Sequence, residues 1–371
     1  MAALASVTIS LGVPLLAIIL ERHGYDAFTI GLNTATGAIG SLAVAPFTDR
    51  LARRYGAVRI MQAGLLAAGA SILMFPLLVD LWLWTLWRLV LGGAGAILFV
   101  LSEAAINAMA PPARRGQLIA LYATAFSLGF ASGPLLLSIT GSEGFLPFLV
   151  AAGALALAAI PLCFVNGIDR LLAGDQTVPV GFGGADLLRR GAFPYAGILV
   201  YAVLETSFFA LLPIYVLAQG LDEGRAAAML SVWIAGNVVW QLPIGWLVDR
   251  WASRPVLALC AVLAAAGLLV MGTAPTASPW IWPLLICMGG AMGALYTISL
   301  TMIGERFRAG ELTRANSLLV VIFQVGLLVG PVSVGAGMTM LGAASFPLLL
   351  MLPIATLLVA ALGYARRRST I

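Results

Sequence analysis

Three ionisable side chains, Arg88, Glu103 and Glu205, lie inside long apolar runs of the sequence. Such surroundings penalise charge, commonly by about 2.5–3.5 kcal/mol per residue on insertion scales. They also make a carboxyl able to take and release a proton, because the neutral acid is tolerated where the carboxylate is not. Glu205, in YAVLETSFF (201–209), has no Arg in its own run close enough to pair with it. It is expected to be a proton-coupling or solute-binding carboxylate; the alternative is a structural carboxyl hydrogen-bonded to a neighbouring helix. Arg88, in WRLVLGGAGA (87–96), has two readings. It holds an anionic group of a solute or tunes the carboxylate, or it reaches along its own stem to the outer membrane interface. Asn237, Gln241 and Tyr296 are expected to line the same solute site, and Asn33, Thr297, Gln324, Trp233 and Trp240 are further candidates.

The elements that must position these residues are membrane-crossing helices. The chain has 371 residues, 61% hydrophobic and 9% charged, whereas a soluble domain carries about 25% charged residues. One crossing takes about 20 apolar residues. Runs of that kind fall at roughly 2–20, 27–48, 59–79, 83–109, 117–140, 145–164, 192–216, 224–248, 255–273, 281–304, 315–338 and 345–365. They are continuous rather than alternating, which excludes a barrel and leaves an all-α, twelve-helix polytopic protein. The polar stretch 165–191 separates the sixth run from the seventh. The expected organisation is an N-terminal six-helix bundle (1–164), a cytoplasmic linker (165–191) and a C-terminal six-helix bundle (192–371).

Charge placement sets the orientation. All 20 basic residues are Arg. With the N-terminus cytoplasmic, 17 of them fall in inner loops and the tail, Arg22 and Arg225 fall outside, and Arg88 lies within the fourth run. This alternation follows the positive-inside rule. Both termini are therefore expected in the cytoplasm, in a bacterial plasma (inner) membrane. The net charge of +5 is spread over loops, with no basic helix or patch of the kind that binds nucleic acid. Cys163, Cys260 and Cys287 and the single His23 form no metal-like spacing, so no metal or cofactor is expected. No removable signal peptide is expected, because the chain lacks a positively charged stretch and an obvious cleavage site around its first run. Aromatic residues near run ends, Trp82, Trp84, Trp280 and Trp282, are expected at the outer interface.

The sequence repeats itself. Asp49-Arg50 and Asp249-Arg250 follow the second and eighth runs, 200 positions apart. GFASGP (129–134) and GLLVGP (326–331) are 197 apart, and Gly92-Gly93 and Gly289-Gly290 share that offset. Two halves with one order of features imply a parallel duplication about an axis normal to the membrane. Gly92, Gly129, Gly133, Gly326 and Gly330 would let helices approach closely, and Pro134 and Pro331 would bend theirs.

These motifs resemble the major facilitator superfamily over essentially the whole chain. Its signature after the second helix, Gly-x-Leu-Ala-Asp-Arg-x-Gly-Arg-Arg, is matched at Asp49, Arg50, Arg53 and Arg54, and again at Gly245, Leu247, Asp249, Arg250 and Arg254. Ala45, Ala52, Ala252 and Ser253 depart from it. Arg88 and Gly92 match its fourth-helix Arg-x-x-Gln-Gly pattern, with Leu91 in place of Gln. Gly129, Gly133 and Pro134 match half of an antiporter motif, and SEAAIN (102–107) followed by RRG (114–116) resembles drug- or sugar-like branches. The resemblance implies two pseudo-symmetric six-helix bundles working by alternating access. It places the first, fourth, seventh and tenth helices around a central cavity. It also implies a cytoplasmic gate at Asp49, Arg50, Arg53, Arg54, Glu103, Asp249, Arg250 and Arg254, in which basic residues pair with Glu103 and Asp49 caps the eleventh helix. Glu103 also has readings as a coupling group or an interface residue. The expected function is proton-coupled secondary transport of a small amphipathic or apolar solute, leaning to efflux. The expected partners are that solute, protons and membrane lipid, and the chain is expected to be monomeric. A transporter-like receptor or scaffold is the alternative, and a membrane enzyme acting on lipid-like substrates is a more distant one. The chain shows neither the acidic or His cluster of such an enzyme nor an ATP-binding Gly-Lys-Ser/Thr loop.

Overall fold

A computed structural model of the chain describes residues 1–109, 111, 115–164, 185–274, 276–307 and 309–368. The helices in chain order are α1 (Ala2–Arg22), α2 (Ala27–Val44), α3 (Thr48–Tyr55), α4 (Ala57–Met74), α5 (Leu81–Met109), α6 (Arg115–Thr140), α7 (Leu146–Phe164), α8 (Ala185–Arg190), α9 (Ala192–Leu217), α10 (Glu223–Arg250), α11 (Ser253–Thr273), α12 (Ile281–Arg306), α13 (Ala309–Leu341) and α14 (Phe346–Arg368). No strand occurs among the described residues. Among the described residues, twelve segments are long and apolar enough to cross a membrane, and each lies close to a run read from hydropathy. The agreement has a simple cause. A crossing helix must supply all its backbone hydrogen bonds itself over a fixed thickness of hydrocarbon, so run length and helix length are tied together.

Two compact units emerge, one of residues 1–22 and 33–178, the other of 23–32 and 179–371. The turn before α2 and the first part of α2 thus group with the second half of the chain. Thr339 on α13 accepts from the Phe28 amide at 3.0 Å and donates to Asp26 at 3.1 Å. A Cβ at Gly335 would overlap the Ala27 carbonyl, and one at Gly31 that of Pro331.

In the first unit, α1 crosses α6 at two glycines. A Cβ at Gly129 would overlap the Ala3 carbonyl, and one at Gly133 would reach the Leu11 amide nitrogen at 2.6 Å. Ser10, packed against Gly133, caps the Val7 carbonyl. In the second unit α9 crosses α13 in the same way, with Gly326 against Ala202, and a Cβ at Gly330 would lie 2.8 Å from the Val203 carbonyl. Pro134 and Pro331 lie inside α6 and α13, one residue after the second glycine of each crossing.

A second pair of crossings joins α2 to α5 and α10 to α12. Gly92 sits on the Gly37 backbone, and Gly40 on the Leu89 carbonyl. Gly289 sits on the Trp233 carbonyl, and Gly236 on Ile286. Small residues at these points bring the backbones together, the usual means of packing helices in lipid.

The Asp-Arg repeat that follows the second and eighth runs is built differently in each unit. In the first, Pro46 lies in a 3₁₀ turn (Ala45–Phe47) that separates α2 from α3. The short helix α3 ends at Gly56, whose φ of 92° suits glycine. In the second, α10 runs unbroken to Arg250.

The stretch read as linker, 165–191, is partly structured: α8 occupies its end. Leu187 joins an apolar cluster with Tyr195, Ile198, Ile303, Phe307, Ala315 and Leu319. Arg190 grips Glu311 with two hydrogen bonds of 2.9 and 2.7 Å and lies over the Phe307 ring at 5.1 Å. Residues 165–184 lie outside the described residues.

The two arginines expected outside tie loops to helices. Arg22 donates to Ser142 at 2.7 Å, and Arg225 donates to the Thr276 and Ala277 carbonyls at 3.0 and 2.9 Å. Trp82 and Trp280 are exposed, but Trp84 is fully buried. Its indole N–H donates to the Phe75 and Leu78 carbonyls, closing the α4–α5 turn. The interface reading fails for Trp84 because those two carbonyls need a donor that only an inward ring supplies.

Candidate functional site

Glu205 lies near the middle of α9. Tyr201, four residues earlier, shares its face of the helix and donates its hydroxyl hydrogen to Glu205 Oε1 at 2.9 Å. The Asn237 amide nitrogen on α10 donates to the Tyr201 hydroxyl at 3.2 Å, and Gln241 donates to Asn237 Oδ1 at 3.5 Å. All these donors run one way, from Gln241 through Asn237 and Tyr201 to Glu205. A carboxylate accepts at the end of such a chain, and each link polarises the next.

Three rings enclose this network. Tyr201 lies 5.4 Å from Tyr296 on α12 and 6.2 Å from Phe323 on α13, and Tyr296 and Phe323 are 6.0 Å apart, centroid to centroid. Gly293 on α12 leaves the space that the Asn237 amide fills. The structure therefore brings Glu205, Asn237, Gln241 and Tyr296 together in the second unit. Tyr201, which sequence reading passed over, connects them; its i,i+4 spacing to Glu205 was the available signal. Trp233 is core, stacked on Phe208 at 4.8 Å, while Trp240 is exposed.

Arg88 belongs to the first unit. It is 4% exposed and Asn33 is 2% exposed. Arg88 Nε donates to Asn33 Oδ1 at 3.1 Å, while Asn33 donates to the Thr85 hydroxyl at 3.4 Å. The close α2–α5 crossing at Gly37 and Gly92 sets Asn33 at this depth. The outward-reaching alternative does not hold: a side chain so enclosed is not extended to an interface.

Of the residues expected at the cytoplasmic gate, Asp49 is in the first turn of α3 itself, and Arg53 and Arg54 are in its last turn. This suits the helix dipole at both ends. Arg50, Arg53 and Arg54 are exposed, and Arg54 lies over the Tyr55 ring at 5.2 Å. Glu103 is on α5, beside Ser102, whose hydroxyl is 2.8 Å from that of Tyr122. Arg250 covers the Trp246 ring at 4.0 Å. Arg254 is half-buried, and its neighbour Ser253 donates to Glu305 at 3.0 Å. The Asp249 side chain lies outside the described residues.

The family model of the Major Facilitator Superfamily matches residues 1–331 and 194–370. The chain is 27% identical over 330 residues to the MFS-type transporter YfkF of Bacillus subtilis (strain 168), covering 87% of this chain and 83% of that one. It is 26% identical over 315 residues to the MFS-type transporter YcaD of Escherichia fergusonii, covering 84% and 80%. Among solved structures, the nucleoside transporter NupG superposes with a TM-score of 0.80 at 12% identity, over 98% of this chain and 96% of that one. The D-xylose-proton symporter superposes with a TM-score of 0.70 at 15% identity, over 97% and 95%. At such identities the likeness to the solved structures is one of fold.

Proposed function

Because the chain belongs to the major facilitator superfamily, we propose that it is a proton-coupled secondary transporter of a small solute, in which Glu205 takes and releases the proton. The observation that carries this reading is the one-way hydrogen-bond chain ending on Glu205. It eases the burden of the ionised carboxyl in an apolar setting, and protonation removes the charge altogether. Both states are then accessible, as a carrier that alternates between two faces requires. Tyr296 and Phe323 give the site apolar walls, and Asn237 and Gln241 supply neutral polar contacts. That balance suits a small amphipathic solute. The D-xylose-proton symporter shares the fold, which fits a proton-linked cycle on this scaffold.

The inner-face set Asp49, Arg50, Arg53, Arg54, Glu103, Asp249, Arg250 and Arg254 serves as the cytoplasmic gate in this reading. The protein sits in the bacterial inner membrane as a monomer with both termini inside, and its direction leans to export. The test uses purified full-length protein in proteoliposomes carrying an internal pH dye. Solutes that raise the melting temperature are screened for proton movement. Glu205→Gln should abolish proton-linked accumulation while leaving solute exchange at equal pH. Full pH-driven transport by that variant would end the proposal.

A further inference from the structure

Arg88 differs from Arg190, Arg225 and Arg22 in how little answers its charge. Arg190 meets a carboxylate through two nitrogens. Arg225 meets two carbonyls and Arg22 a hydroxyl near the carboxylate of Glu143. Arg88, the most enclosed of the four, has one neutral partner, Asn33 Oδ1 on its Nε. Its Nη2 is fully buried without a hydrogen-bond partner among the described residues. A guanidinium withdrawn from water is costly unless an anion and further acceptors meet it. No acid on its own helix can do so. Glu103 is fifteen positions along α5, about 22 Å at 1.5 Å per residue. Asp80, before the first turn, is occupied by the Leu83 amide.

The geometry around Arg88 holds its outer edge ready. Asn33 takes the Nε edge, fixing the plane of the guanidinium. Thr85, which accepts from Asn33, is anchored in turn to the Leu81 carbonyl at 2.8 Å. The Nη edge is left, and its Nη2 has no hydrogen-bond partner among the described residues. A pair of parallel N–H donors is the complement of a carboxylate. The matching position in the second half, 197 further on, is Leu285, so the duplication does not require a cation here.

We infer that Arg88 and Asn33 form a seat for a single carboxylate group, so that the solute is an amphipathic monocarboxylic acid. This names the solute class of the transporter proposed above and rests on that reading. One guanidinium without an added lysine or second arginine matches one negative charge. The acid's apolar body suits a protein whose other membrane-depth polar groups are few.

The test is a melting-temperature screen on the purified full-length protein with matched probes: benzoate, phenylacetate and hexanoate, their primary amides, and benzylamine, phenethylamine and hexylamine. At least one acid should stabilise the wild type while its amide and amine do not. Arg88→Gln should weaken that acid roughly 10- to 100-fold, the range expected for losing a charged hydrogen-bond pair. Arg88→Lys, which keeps the charge but loses the fork, should fold normally and bind it more weakly than wild type. A second arm needs no solute. Arg88→Met removes an uncompensated buried charge and should leave the melting temperature of the unliganded protein unchanged or raised. A fall in that temperature, stabilisation by amide or amine equal to that by acid, survival of the acid effect in Arg88→Gln, or no acid effect at all would each overturn the inference. Proton flux separates the two readings. If amides move with protons through Glu205, only the carboxylate seat is lost. If acids bind through Arg88 without proton movement, only the coupling is lost.

Discussion

Ser10 and Ser207 stand 197 positions apart and do the same thing: each packs against the second glycine of a crossing, Gly133 and Gly330, beside a helix-interior proline. The duplication is therefore one of packing contacts, although Ser10 donates to the Val7 carbonyl while the buried Ser207 hydroxyl has no hydrogen-bond partner among the described residues. It also makes the glycines a calibrated experiment. Gly133→Ala should destabilise by about 1–3 kcal/mol, because the new methyl meets backbone that cannot move aside. Gly330→Ala should cost less, since its nearest contact is 2.8 Å and Ser207 Oγ, at 3.2 Å, can turn. Gly153→Ala in α7, with nothing within 4 Å, should stabilise by about 0.5–1 kcal/mol. Thermal unfolding of the three variants in one detergent checks the order.

Tyr201→Phe keeps the ring against Tyr296 and Phe323 and removes only the donor to Glu205. A hydrogen bond to a charged group contributes about 1.5–3 kcal/mol, so proton-linked transport should fall about tenfold or more with little change in melting temperature. Initial rates in proteoliposomes measure this. An unaltered rate would show that the chain of donors is not used.

Arg190 and Glu311 form an exposed pair with ideal two-pronged geometry. The Glu311 carboxylate raises the guanidinium's proton affinity further above its ordinary range. Arg190→Glu should lower thermal stability at low salt, and the exchange Arg190→Glu with Glu311→Arg should restore it. Both effects should shrink at high salt, where exposed charges are screened. A loss equal at all salt concentrations would point to the contact with Phe307 instead.

Asp26, between α1 and α2, is held below the ordinary aspartate range, first by its hydrogen bond with the Thr29 side chain and then by the Thr29 amide and Thr339. A depressed value means that the stabilisation is fully present above the ordinary range and lost as pH falls through the depressed one. Asp26→Ala should therefore melt modestly lower than wild type at neutral pH, and the difference should close in acid. Melting curves against pH would refute this if the gap stayed constant.

The crossings and the repeat were legible because lipid dictates run length and because a glycine needed twice recurs at a fixed offset. What a helix meets on its far side was less so. Trp84 and Trp82 have the same composition signal, but only the neighbouring α4–α5 turn decides which ring goes in. Arg88 read alone could have reached outward; its partner Asn33 is on another helix, 55 positions away. Glu205 was readable as an acid in an apolar run, and its Tyr201 partner lay within one turn. The clasp of α8 joins residues 121 positions apart, with nothing in the intervening sequence to announce it.

The 197-residue offset carries Glu205 back to Thr8 and Arg88 forward to Leu285. A protein assembled from two first halves would thus hold a pair of deep guanidiniums and no acid in the Glu205 position. One assembled from two second halves would hold the reverse. Copying supplied the frame, and later divergence divided the chemistry so that neither half is a spare for the other.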